Sequence, residues 1–259
     1  MADFIIIIRP EPDASRDVDW LCRYQVPAMA FPVMRAEQLS FDLPDTPPFQ
    51  AIILTSRHAV AAIAGIDAIA SIGKMGTLAT LRSSPVYAVG RRTALAARQA
   101  GFDHVITGPG DGNALVPLMV ANLNPNAGGI LWPSANIISF DIANRLTDFG
   151  FSVQQIPVYE MVATSHISSN LQFRLATCSS AAVVAMSARS IKLFSQMLNI
   201  SQFAGHRERI TVIASSKAIA TAAGSGWADI IVAKAPRRSR VLAIATLIHN
   251  RGGKVPRAL

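Results

Sequence analysis

Short apolar runs recur along the chain, and each is cut off by a proline, a glycine or a hydroxyl residue. Phe4–Ile8 stops at Arg9-Pro10-Glu11-Pro12, Ile52-Ile53-Leu54 at Thr55-Ser56, and Ala181–Met186 at Ser187. These runs are continuous rather than alternating, which marks strands buried on both faces. Between them lie Ala-rich or amphipathic stretches with cap residues at the start and glycine at the end. The pattern predicts strands at Phe4–Ile8, Met29–Met34, Ile52–Leu54, Pro85–Gly90, His104–Ile106, Ile130–Trp132, Val153–Val162, Ala181–Met186, Ile210–Ala214 and Ile230–Val232. It predicts helices from Asp13 or Ser15 to about Tyr24, from Ala59 to about Ile72, and from Arg91-Arg92-Thr93 to near Gly101. Further helices follow from Asp111 or Asn113 through Leu123, over Ile137–Phe149, after Ser187, from Ser215-Ser216-Lys217 to Gly224 or Gly226, and over Val241–His249.

The pattern runs twice. Val86-Tyr87-Ala88-Val89-Gly90-Arg91-Arg92-Thr93 parallels Thr211–Lys217, Gly101–Ile106 parallels Gly226–Ile231, and Phe31-Pro32-Val33 parallels Ile156-Pro157-Val158. Thr55-Ser56 and Ser187 end matching strands. Self-similarity with only two long-period copies points to a duplicated unit rather than a solenoid. Alternating strands and helices in each copy predict parallel sheets covered on both faces. In such sheets ligands sit beyond the carboxyl ends of the strands. That rule selects one rim of candidate binding residues: Arg9, Thr55, Ser56, Gly90, Thr93, Ser134, Ser187, Ser215, Ser216 and Lys217. Taken singly, Ser56 and Ser187 are helix caps; their repetition in both halves is what gives them a functional reading.

Composition narrows the class. With 259 residues, 51% of them apolar and only 15% charged, the chain can build two ordinary domains. No apolar run reaches the roughly 20 residues of a spanning helix, and no basic region precedes the first strand. A cytoplasmic protein without membrane attachment is expected. Cys22 and Cys178 have no metal- or redox-type spacing and read as packing residues, and the five histidines are scattered, so no metal is expected. The formal charge of +8 invites a nucleic-acid partner, but aromatic residues make up only 7% and none interleave with Arg237–Arg240 or the basic tail Arg251–Arg257. Arg237–Arg240 reads as a solvated helix start and Arg251–Leu259 as a frayed end. A site for a small polyanion suits the charge better. Gly108-Pro109-Gly110-Asp111-Gly112-Asn113 evokes a dinucleotide loop, yet Asn113 stands at the third glycine position and no suitable acid follows; a turn with an N-cap is the reading kept.

Ile-Arg-Pro near the start, Thr55-Ser56 with Ala59-Val60, Val86-Tyr87-Ala88-Val89-Gly90 with Thr93-Ala94, and Val158-Tyr159-Glu160 occur in an order that resembles uroporphyrinogen-III synthase, over roughly Ile5 to Leu247. The resemblance implies cyclisation of the linear tetrapyrrole hydroxymethylbilane, an octacarboxylate, with loss of water and inversion of ring D. It implies no metal or organic cofactor and a monomer. The implied α/β fold has two similar parallel-sheet domains, 1–33 plus 164–259 and 42–154. They are joined by linker strands 34–41 and 155–163, the first strand–helix unit is exchanged, and the substrate lies in the cleft between the domains. By position, Tyr159 matches the family tyrosine beside the leaving hydroxyl and is the catalytic candidate. Ser56, Thr93, Ser187 and Ser216 match cleft hydroxyls and Arg9 an early arginine. The chain departs from the pattern at Trp132-Pro133-Ser134 and Ser139, and His58 stands where an asparagine is common; His58 is expected to be a packing or surface residue. The competing expectation is a non-catalytic two-domain binding protein for a small polyanionic ligand.

Overall fold

The computed structural model describes residues 2–43, 49–65, 80–200 and 203–250. The predicted helix beyond Gly65, part of the proline-rich Phe41–Phe49 connection and the Arg251–Leu259 tail lie outside the described residues. The chain divides into two compact units. The first comprises Met1–Arg35 with Val162–Leu259, and the second Ala36–Met161.

In the first unit, strands β1 (Phe4–Ile7), β2 (Ala28–Ala30), β9 (Ala181–Ala185), β10 (Ile210–Ala214) and β11 (Asp229–Val232) form a sheet in the order β11-β10-β9-β1-β2. The pairings of β1 with β2 and β9, and of β10 with β9 and β11, are all parallel. Ile5, Ile6 and Ile7 are buried completely, as an uninterrupted isoleucine run requires; each contributes about 2–3 kcal/mol of burial. Ile5, Ile7, Ala182, Val184 and Ile213 face one core with Leu21 of helix α1 (Asp13–Arg23) and Val241, Leu242 and Ala245 of helix α9 (Arg238–Asn250).

The second unit holds β3 (Met34–Gln38), β4 (Ala51–Leu54), β5 (Val86–Ala88), β6 (Val105–Thr107), β7 (Ile130–Ala135) and β8 (Val153–Ala163) in the order β3-β8-β7-β4-β5-β6. The pairings among β4 to β8 are parallel. The chain passes between units within β3 and β8. Consecutive residues alternate faithfully between two cores. Ile52, Leu54, Val86, Ala88 and Leu131 meet helices α2 (Arg57–Ala64) and α3 (Arg91–Gln99). Ala51, Ile53, Tyr87, Ile130 and Trp132 meet α4 (Gly112–Asn122) and α5 (Ile142–Thr147). Both faces are therefore covered over the central strands, which is why β4, β5 and the start of β7 are solidly apolar.

The duplication is visible in the topology. Matching β9, β10 and β11 to β4, β5 and β6, and β1 and β2 to β7 and β8, brings five strands of each sheet into the same order, with β3 the additional edge strand of the second. The other α-helices described in the first unit are α6 (Ser169–Thr177), α7 (Ala188–Ile200) and α8 (Lys217–Ala223), and a 3-10 turn spans Ala204–Arg209.

Local departures from the sequence reading have physical causes. Met29–Met34 is two strands, because Pro32 cannot donate and breaks the run between β2 and β3. The helix α1 is led by Pro12, and Glu11 accepts the Ser15 N–H at 3.1 Å, the service expected of Asp13 or Ser15. The helix expected over Ile137–Phe149 starts only at Ile142, where Asp141 caps the Asn144 N–H at 2.9 Å. Asp111, and not Asn113, caps α4 through the Ala114 N–H at 2.8 Å, supporting the turn reading of that glycine-rich loop. Cys22 is exposed rather than packed, whereas Cys178 is half-buried; both are free thiols. No helix among the described residues is long and apolar enough to cross a membrane.

Candidate functional site

In each sheet the strand order reverses beside a serine. In the second unit β5 and β6 lie to one side of β4, while β7 and β8 lie to the other, so the switch point falls between the ends of β4 and β7. Ligands of open α/β sheets bind at such points, beyond the carboxyl ends. Strand β4 delivers Thr55 and Ser56 there, both half-buried. Ser56 has extended backbone, and its Oγ accepts the His58 N–H at 3.1 Å, so it is the N-cap of α2.

Tyr159 reaches the same edge from β8. Pairing between β7 and β8 runs in step from Ile130↔Val153 to Ser134↔Pro157, then shifts, so that Ala135 faces Tyr159. The shift comes straight after Pro157, which has no N–H to give the ladder. Such a bulge re-aims the side chains beyond it. The Asn136 N–H closes the irregularity by donating to the Tyr159 carbonyl at 2.8 Å. The Tyr159 side chain is only 8% exposed, and its phenol hydrogen-bonds the Ser56 hydroxyl. Burial pushes the phenol pKa up, and the Ser56 bond partly offsets this by lowering it. Ser56 Oγ therefore serves both the His58 N–H and the Tyr159 phenol. The His58 ring lies 5.5 Å from the Tyr159 ring, centroid to centroid, tilted by 46°.

The neighbouring strand end builds an anion-ready corner. Gly90 is the N-cap residue of α3 and has no side chain to cap it, so its first N–H groups and the half-positive helix end are presented beside exposed Arg91 and Arg92. Thr93 is 6% exposed in the first turn. The Gly108–Gly112 loop is clamped against this corner. Gly108 and Gly110 donate to Ala88 and Val89 carbonyls at 2.7 and 2.8 Å, and a Cβ on Gly90 would come within 3.3 Å of the Gly110 Cα. Ser134 is different. It is fully buried, accepts from Gln155 Nε2 at 2.9 Å and donates to the Ala135 carbonyl at 3.0 Å. Ser139 is exposed in the segment before α5, outside any helix.

In the first unit the order reverses between β1 and β9, where Arg9 and Ser187 follow. Ser187 Oγ accepts the Ser190 N–H at 3.4 Å, and Ser216 Oγ accepts the Ile219 N–H at 3.4 Å. Ser215 is buried, with its N–H on the Ala185 carbonyl at 3.0 Å, and Lys217 is exposed. Arg9 is heavily engaged. Its guanidinium pairs with Asp13 at 2.6 Å and with Asp17 at 3.0 Å. Asp17 is completely buried and also accepts from Arg238 Nε. Arg238 is thus a structural partner and not part of a solvated helix start.

Sequence reasoning missed Asp17, the β8 register shift and the His58–Tyr159 contact. Proline in the middle of a strand was the one signal for the shift. An acidic residue on an otherwise apolar helix face was the signal for Asp17. Among the described residues, no group of three or more His, Cys, Asp or Glu is placed to hold a metal.

Known proteins share this architecture. The family model described as "Uroporphyrinogen-III synthase HemD" matches residues 18–243. No curated protein matches the chain in sequence. Among solved structures, that of uroporphyrinogen-III synthetase from Helicobacter pylori 26695 is similar, with 19% identity and a TM-score of 0.63 over 95% of this chain and 98% of that one. A mutant uroporphyrinogen III synthase from the extremely thermophilic bacterium Thermus thermophilus aligns at 17% identity and TM-score 0.48, over 93% of this chain and 96% of that one.

Proposed function

The chain belongs to the uroporphyrinogen-III synthase family, and we propose from its site that Tyr159 is the proton donor as hydroxymethylbilane loses water and closes to uroporphyrinogen III. The family match covers most of the chain and does not favour a binding protein without turnover. The observation that carries the role of Tyr159 is its burial against the Ser56 hydroxyl at the β4 strand end, beside the switch point of the sheet.

The chemistry follows from that arrangement. The hydroxymethyl C–O bond of the substrate breaks as a pyrrole nitrogen pushes electrons toward it. The departing oxygen takes the Tyr159 proton and leaves as water. A neutral phenol in a buried position is suited to this, because burial keeps it protonated at working pH. Ring closure at the substituted carbon of ring D, with inversion of that ring, consumes the resulting cation. The proton lost when the macrocycle is completed restores the phenol, so the enzyme returns unchanged. Holding a flexible chain folded for closure at one carbon supplies much of the acceleration.

For the carboxylates, the reading assigns Thr55, Gly90, Thr93 and the neighbouring Arg91 and Arg92 in the second unit, and Ser187, Ser215, Ser216 and Lys217 in the first. Arg9 contributes its charge while held by Asp13 and Asp17. Ser134, with its hydroxyl already engaged on both sides, acts through packing. The reading is of a monomer acting on a small molecule in the cytoplasm, without nucleic acid. The test is to supply freshly made hydroxymethylbilane to the purified protein and separate the product isomers after oxidation. The type III isomer is expected. Only the spontaneous type I isomer would reject the reading.

A further inference from the structure

Tyr159 is fixed at its backbone by the Asn136 N–H and at its oxygen by Ser56, yet these two restraints leave the ring free to turn about its own axis. The ring belongs to the buried cluster around β4 and α2, and beyond that apolar packing its aromatic neighbour is the His58 imidazole, with centroids 5.5 Å apart and planes 46° from parallel. His58 is the second residue of α2, half-buried, and outside the apolar clusters that α2 shares with the sheet. Its own backbone is tied to the same hydroxyl that holds the phenol, since the His58 N–H donates to Ser56 Oγ at 3.1 Å. One short segment, Ser56–His58, therefore grips both the oxygen and the face of a tyrosine that arrives from a different strand.

We propose that His58 is a positioning residue: its ring braces the Tyr159 ring, and so fixes the plane in which the phenolic O–H points. This rests on the role of Tyr159 given above. The requirement is for a flat ring of that size at the second position of α2. Asparagine, which has no such ring, would not meet it. The phenolic O–H prefers the plane of its ring, so a ring that turns about its own axis carries the proton off line by up to about an ångström, and misplacements of this size cost on the order of ten- to a hundred-fold in rate.

The test compares His58→Ala, His58→Asn and His58→Phe with the wild type by two readouts. The first does not depend on turnover. With ring-labelled tyrosine, the flip rate of the Tyr159 ring is measured by nuclear magnetic resonance; the chain has only three tyrosines, so assignment by Tyr→Phe substitution is practical. Faster flipping is expected in His58→Ala and His58→Asn, with restoration in His58→Phe. An unchanged flip rate in His58→Ala overturns the proposal, whether or not the protein makes the type III isomer. The second readout is kinetic. The alanine and asparagine variants should lose about ten-fold or more in kcat with KM little changed, and phenylalanine should recover most of it. In a Tyr159→Phe background, His58→Ala should cost nothing further. Phenylalanine as poor as alanine, or losses that add in the double variant, would also overturn it. Failure of the wild-type isomer assay would instead reject the enzyme reading and leave the flip-rate result standing.

Discussion

Replacing Asp17 by asparagine removes one charge from the best-buried ionic cluster in the first unit. The Asp17 carboxylate is completely buried and takes Arg9 on one oxygen at 3.0 Å and Arg238 on the other. With Asp13 the cluster is neutral: two arginines against two aspartates. Asparagine leaves it with a net positive charge, and its amide can accept from one guanidinium only, while the NH2 group faces the other donor. Removing one partner of a buried pair costs about 3–5 kcal/mol. The lower end applies here, because the Arg238 side chain is 31% exposed and can recruit water, and Arg9 keeps Asp13. For a chain of this size about 3 kcal/mol lowers Tm by roughly 6–12 °C. Differential scanning calorimetry at neutral pH measures it directly. The same variant should weaken the anchoring of α9 to α1, since Arg238 also donates to the Arg16 carbonyl at 3.0 Å. A Tm within about 2 °C of wild type would refute the reasoning, showing that the two arginines are solvated without Asp17.

The other expectations are briefer. Ser56→Ala removes the α2 cap and should cost about 1 kcal/mol by urea denaturation. It should also reduce turnover, because the phenol loses its partner; a stability loss with full turnover would detach Ser56 from the mechanism. Gly108→Ala places a Cβ 2.7 Å from Leu115 Cδ1 and 2.8 and 2.9 Å from the Ala88 and Val89 carbonyl oxygens. Two of those neighbours are backbone, so about 1–3 kcal/mol should be lost, and an unchanged urea midpoint would contradict the close packing. Burial raises the pKa of both Tyr87 and Tyr159 above the ordinary 10.0. Folding therefore favours the neutral phenols, and their contribution to stability is fully present below pH of about 10 and lost as pH rises through the folded values. Urea midpoints measured across that range should fall on the alkaline side, and less steeply in Tyr159→Phe; identical slopes would argue against the buried phenol.

The sheets were legible because their central strands are apolar on both faces, as Ile5–Ile8 and Ala51–Leu54 illustrate, whereas β3 and β8 carry polar residues. The two-fold repeat was legible because matching motifs fall in the same order, and the strand orders of the two sheets bear this out. Ends of elements were harder. Ile137–Phe149 carries helix-compatible spacing throughout, but Asp141 captures the Asn144 N–H and starts the helix late. The candidate site was partly legible: strand-end hydroxyls such as Ser56 announce themselves beside a helix start. Contacts that depend on register did not. The step in β8 that turns Tyr159 toward Ser56 leaves no composition signal beyond Pro157, and the His58–Tyr159 pair joins residues from elements distant in sequence. Asp17 shares the buried face of α1 with Ala14 and Leu21, but its partner Arg238 comes from a helix 221 residues away, which no local pattern announces.

The central claim is that Tyr159, aimed by the β8 bulge and hydrogen-bonded by Ser56, gives up its proton as the bilane loses water. Steady-state turnover of hydroxymethylbilane by Tyr159→Phe, alongside a circular dichroism spectrum showing an intact fold, addresses it most directly. The account predicts kcat reduced by about a hundred-fold or more with KM little altered, as expected when a general acid is removed. Wild-type kcat in a properly folded Tyr159→Phe protein would contradict it.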